Sequence, residues 1–175
     1  MTRTLVLGGV RSGKSALAES ESALSGSDVI YVATATAGDA EMAERIRMHR
    51  RRRPDHWGLE EEPVELASVL ERYRHAAPCL LIDCTSLWLS NLLASDEGAL
   101  LRERDAFLAA LAAYPGGVVI VSNEVGLGTI GMDALTRQFA DELGWLNQAL
   151  AQRCETVVLS VAGLPTVLKG ALRSR

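Results

Sequence analysis

The chain alternates short, continuously apolar runs with longer segments in which apolar residues recur every three or four positions. Five runs rich in β-branched residues or leucine predict strands, at residues 4–7, 29–33, 79–82, 118–121 and 156–161. They are apolar throughout rather than alternating, as strands covered on both faces require. The first intervening segment predicts a helix from Lys14 to about Leu24, stopped by Ser25-Gly26-Ser27. Asp39 can cap a second, which carries Met42 and Ile46 and ends before Pro54. Leu87, Trp88, Leu89, Leu92 and Leu93 form an apolar helix, and another spans roughly Glu97 to Tyr114 before Pro115-Gly116-Gly117. Asp133 caps the last, with Leu135, Phe139, Leu143, Leu146 and Leu150 on one stripe. Strand and helix in repeated succession predict an α/β fold with a mainly parallel central sheet flanked by helices. Such sheets bind ligands outside the carboxyl ends of their strands.

Bulk properties narrow the class. The 175 residues fit one domain, 1–175, with 48% hydrophobic residues and a net charge of −4. That balance provides no global basic field for nucleic acid. No apolar run is long enough to span a bilayer, and the N-terminus lacks a signal-peptide core. Cys79, Cys84 and Cys154 are odd in number and lack a Cys-x-x-Cys pair, which fits reduced thiols and predicts a cytoplasmic protein.

The most informative stretch follows the first strand. Gly8-Gly9-Val10-Arg11-Ser12-Gly13-Lys14-Ser15 matches G-x-x-x-x-G-K-[ST], a phosphate-binding loop (P-loop) between strand and helix. Glycines let the backbone turn tightly, so that N–H groups converge on a β-phosphate at the positive end of the following helix. Lys14 would bridge the β- and γ-phosphates, a contact worth roughly 4 kcal/mol at 4 Å and an effective dielectric near 20. Ser15 would offer its hydroxyl to Mg²⁺. Only two lysines occur, Lys14 and Lys169, and one fills this slot.

Other candidates lie at the strand exits. Thr34, between Ala33 and Ala35, either reaches a nucleotide or caps local backbone. Asp83 ends an apolar strand in the manner of a Mg²⁺-binding carboxylate. Glu61 is suited to a ribose hydroxyl, a metal-bound water or a surface ion pair. Glu124 is a candidate base or a loop carboxylate, followed by a glycine-spaced loop able to close over substrate. The densest charge run contains Arg45, Arg47, His49, Arg50, Arg51, Arg52 and Arg53. It reads as a solvated face, a nucleic-acid patch, or a polyanion site in which a neutral His49 attacks phosphorus.

Together these stretches resemble the bifunctional adenosylcobinamide kinase / adenosylcobinamide-phosphate guanylyltransferase family of cobalamin biosynthesis. The likeness rests on Gly8 to Ser15, Tyr31-Val32-Ala33-Thr34, Glu41-Met42 through His49-Arg50, Arg53-Pro54 with Trp57, and Asp83 through Leu93. Asn123-Glu124-Val125-Gly126 and the helix carrying Asn147-Gln148 complete it. The resemblance implies a RecA-like P-loop domain that phosphorylates adenosylcobinamide with a nucleoside triphosphate, ATP or GTP. It then implies transfer of GMP from GTP to adenosylcobinamide phosphate through a guanylylated histidine, which by position is His49. It also implies nucleotide contacts from Gly8, Gly9, Val10, Arg11, Ser12, Gly13, Lys14, Ser15, Ala33, Thr34, Ala35, Arg50, Arg53, Glu61 and Asp83, with Mg²⁺ held by Ser15 and Asp83. A homo-oligomer, with a trimer favoured, follows from the same likeness. A P-loop small-molecule kinase without guanylyl transfer is the alternative enzyme, and a RecA-like nucleic-acid-binding ATPase module the alternative from another class.

Overall fold

A computed structural model describes residues 2–35 and 54–173. Seven strands form one sheet: β1 (Arg3–Gly8), β2 (Val29–Ala33), β3 (Gly58–Glu61), β4 (Cys79–Asp83), β5 (Val118–Asn123), β6 (Thr156–Val161) and β7 (Leu164–Lys169). The helices are α1 (Lys14–Ala23), α2 (Leu66–Arg72), α3 (Thr85–Leu93), α4 (Ala99–Ala113) and α5 (Ala134–Arg153). The strand order is β3-β2-β4-β5-β1-β6-β7. Every pairing is parallel except β6 with β7.

The continuous apolar runs are explained by the two faces they serve. Leu5, Leu7, Leu80, Ile82, Val118 and Ile120 turn to a large core shared with α2, α3, α4 and α5. Their neighbours Val6, Cys79, Leu81, Val119 and Val121 turn to the opposite face, where Ala18 of α1 packs. Strand periodicity of two therefore survives, but both registers are apolar because both faces are covered. Trp88 and Phe107 anchor the larger core, fully buried and edge-to-face with centroids 5.2 Å apart.

All five expected strands form, with β1, β4 and β5 slightly longer than the apolar runs. Two further strands lie outside the expected five. The polar β3 (GLEE) is held by parallel pairing with β2, while every residue of β7 is exposed and the strand closes the sheet as an antiparallel edge. The helix stripe after Asp133 needs one correction: Leu143, Leu146 and Leu150 are buried, but Leu135 is 64% exposed, because the first turn of α5 lies beyond the core it covers. Asp133 does cap that helix: its carboxylate accepts the Thr136 hydroxyl at 2.6 Å and the Thr136 N–H at 2.8 Å, and these bonds, the hydroxyl's first, draw its pKa below the usual value. The helix expected between Asp39 and Pro54 lies outside the described residues.

Candidate active site

β1 ends at Gly8, and the chain turns at once: the Ser12 N–H donates to the Gly9 carbonyl at 3.3 Å. Arg11 (φ 54) and Gly13 (φ 92) both take the left-handed conformation. Gly13 has a second reason to be glycine, since a Cβ there would lie 2.9 Å from the Gly163 Cα. α1 begins directly at Lys14 without a side-chain cap. Its first backbone N–H groups, which have no intrahelical acceptor, therefore border the loop as an anion-binding terminus. Lys14 Nζ donates to the Gly9 carbonyl at 2.9 Å, folding the side chain across the loop. Burial pushes its ammonium pKa down from the usual lysine value, partly offset by Cys84 and Asp83.

Parallel register gathers the other candidates on the same edge. Glu61 pairs with Ala33, Ala33 with Asp83, and Gly8 with Asn123. At roughly 4.8 Å per strand, the backbones at Glu61 and Asp83 stand about 10 Å apart across the sheet. The Tyr31 hydroxyl donates to Asp83 Oδ2 at 3.1 Å and fixes that carboxylate. In sequence, Tyr31 is marked only by its place in the Tyr31-Val32-Ala33-Thr34 stretch, because its partner Asp83 is on another strand.

The Thr34 hydroxyl bonds backbone distant in sequence and not the local backbone. Fully buried, Oγ1 donates to the Cys84 carbonyl at 2.8 Å and accepts the Cys84 N–H at 2.9 Å. The hydroxyl thus clasps the exit of β2 to the junction of β4 and α3, where the Asp83–Cys84 peptide is cis. Asn91 of α3 completes the brace, its Nδ2 donating to the carbonyls of Thr34 (2.9 Å) and Pro63 (3.0 Å). The end of β5 is held similarly by α5: Asn147 accepts from Ser122 Oγ at 2.6 Å and donates to the Asn123 carbonyl at 3.0 Å. Glu124 accepts the Gly126 N–H at 2.8 Å, capping its own loop. Beyond it, Leu127, Ile130 and Met132 are exposed.

Ser15 and Asp83 supply a hydroxyl and a carboxylate, hard oxygen donors of the kind magnesium takes together with substrate phosphates. Among the described residues no group of three or more His, Cys, Asp or Glu converges to hold a metal. Two such donors leave the remaining positions of an octahedral ion to substrate phosphates and water. His49, Arg50 and Arg53 lie outside the described residues. No helix among the described residues is long and apolar enough to cross a membrane.

Comparison with known proteins accounts for this combination. Among solved structures, an ATPase from a bacterial type III secretion system superposes with a TM-score of 0.52 at 11% identity, covering 95% of this chain and 56% of that one. A Pyrococcus horikoshii OT3 protein gives 0.52 at 9% identity, covering 97% and 86%. These likenesses concern the fold alone, the expected α/β arrangement with a mainly parallel central sheet flanked by helices. In sequence, the chain is 54% identical to the bifunctional adenosylcobalamin biosynthesis protein CobP of Pseudomonas aeruginosa, over 96% of this chain and 98% of that protein. It is 36% identical to the corresponding CobU of Escherichia coli, over 94% and 98%. The model of the cobinamide kinase / cobinamide phosphate guanyltransferase family matches residues 4–168. With a P-loop on the sheet edge that gathers Asp83 and Glu61, the chain belongs to this family of bifunctional enzymes of adenosylcobalamin biosynthesis.

Proposed function

We propose that the chain performs both family reactions at the carboxyl edge of its sheet and that His49 divides them. In the kinase reaction, the aminopropanol hydroxyl of adenosylcobinamide attacks the γ-phosphorus of ATP or GTP, loses its proton and releases the diphosphate. In the transferase reaction, a neutral His49 imidazole nitrogen attacks the α-phosphorus of GTP, and the bond to pyrophosphate breaks. A phosphate oxygen of adenosylcobinamide phosphate then attacks that phosphorus, the histidine leaves, and adenosylcobinamide-GDP forms.

Residues 8–15 cradle the polyphosphate, and Lys14 neutralises its developing charge. Arg50 and Arg53 contact the nucleotide, while Ala33, Thr34 and Ala35 border it through backbone and Glu61 takes its ribose. Mg²⁺ would be held by Ser15 and Asp83 and would supply charge neutralisation at the phosphates. The observation that carries the reading is the family match across residues 4–168. The same resemblance supports a homotrimer, a state that sedimentation velocity would identify, while chain length and cysteine usage support a single domain in the cytoplasm.

α-Labelled GTP with Mg²⁺ tests the division of labour. Wild type acquires an acid-labile, alkali-stable label, His49→Ala does not but still phosphorylates adenosylcobinamide, and Lys14→Ala loses both activities. Absence of label on the wild type refutes the transferase mechanism.

A further inference from the structure

β6 and β7 are joined by a two-residue turn, Ala162-Gly163, in which both residues have positive φ (52 and 79), a hairpin turn of the type I′ class. This hairpin lies directly against the P-loop. The Gly163 N–H donates to the Ser12 carbonyl at 2.8 Å. Ser160 Oγ, in a side chain that is 1% exposed, donates to the same oxygen at 2.8 Å. Two donors from one hairpin thus converge on a single carbonyl of the loop, and the close approach of Gly13 to Gly163 leaves no slack between them.

The peptide that follows this carbonyl is trans. A planar trans peptide points its N–H opposite its C=O. Holding the Ser12 carbonyl toward the hairpin therefore aims the Gly13 N–H away from it, into the concave side where the loop and the α1 terminus present their donors. We infer that the β6–β7 hairpin is a clamp that presets the phosphate-binding donors, with Ser160 as its positioning residue for the triphosphate. Ser160 does not touch the substrate; it acts through the orientation of the Ser12–Gly13 peptide. Without the second donor, that peptide has greater freedom to rotate, and the nucleotide must restrict it on binding. The inference rests on the P-loop binding a nucleoside triphosphate.

Ser160→Ala removes the hydroxyl, and Ser160→Cys nearly preserves its volume while weakening the donor. GTP affinity of each is measured by calorimetric titration, with the thermal midpoint recorded with and without GTP and the kinase KM determined for each substrate. Both variants are expected to bind GTP about two- to ten-fold more weakly, the span of one neutral hydrogen bond, with a smaller GTP-induced rise in midpoint. The nucleotide KM rises by a similar factor, while the adenosylcobinamide KM is unchanged. Wild-type GTP affinity in either folded variant overturns the clamp, as does an equal rise in both KM values, which marks general loosening. Failure of the wild type itself to bind GTP or ATP instead overturns the nucleotide reading beneath it.

Discussion

Replacing Thr34 by valine removes a hydroxyl and keeps the side chain's shape. The structure assigns that hydroxyl two bonds, both to Cys84. The consequences differ for the two partners. The Cys84 carbonyl also accepts the Trp88 N–H at 3.2 Å and stays satisfied, so its share is an ordinary net bond of about 0.5–1.5 kcal/mol. The Cys84 N–H has no other acceptor among the described residues; orphaned in a buried site, it costs about 1–3 kcal/mol. Together these predict a destabilisation of about 2–4 kcal/mol by urea unfolding. For a domain of this size that is a fall of roughly 4–16 °C in thermal midpoint. Thr34→Ser keeps both bonds and loses only a buried methyl, at about 1 kcal/mol. GTP affinity at a temperature where all forms are folded separates the two roles weighed for this hydroxyl. A clasp lowers stability far more in the valine variant than in the serine variant. Thr34→Val within about 0.5 kcal/mol of wild type, but with weakened GTP binding, would refute the reasoning.

Two further substitutions probe the site and the core. Lys14→Met abolishes nucleotide binding yet leaves the nucleotide-free protein at least as stable as wild type near neutral pH, because a partly desolvated ammonium is removed. The folded-state pKa of Lys14 is lowered, so the unfolded chain holds that proton to higher pH and wild type gains on the variant above neutrality, up to the usual lysine value near 10.5; urea titrations across that range check the sign. Phe107→Ala empties a fully buried site against Trp88 and should cost about 3–5 kcal/mol by urea unfolding, with a loss below about 2 kcal/mol contradicting the packing described.

What could be read from the chain, and what could not, follows from the range of the interactions. Residues 8–15 are contiguous, and their glycines and lysine are dictated by local geometry, so the loop was legible before any fold was known. The five central strands were legible because burial on both faces makes each an unbroken apolar run. The sequence hides β3 because its order comes from pairing with β2 and not from its own residues; it hides β7 because Pro165 interrupts the run, and its Leu164, Val167 and Leu168 are exposed and ordered by antiparallel pairing with β6. The Thr34 clasp joins residues far apart in sequence, and Ser160 reaches Ser12 across most of the chain. No local pattern encodes either contact. The Ala162-Gly163 pair was the one available trace of the hairpin, and it is weaker than an Asn-Gly turn.

The placement of β1 also sets a timetable. The loop-bearing strand is made first, yet its neighbours in the sheet are β5 and β6, and the residues that hold Ser12 arrive later still, at Ser160 and Gly163. The two donors that hold the Ser12 carbonyl therefore become available to the loop only once residues 160–163 have been made. Such non-local pairing makes folding slow and leaves the apolar β1 in need of protection until its partners appear. The complete phosphate-binding loop is thus a product of the finished sheet, since its supports come from the last two strands and the turn between them.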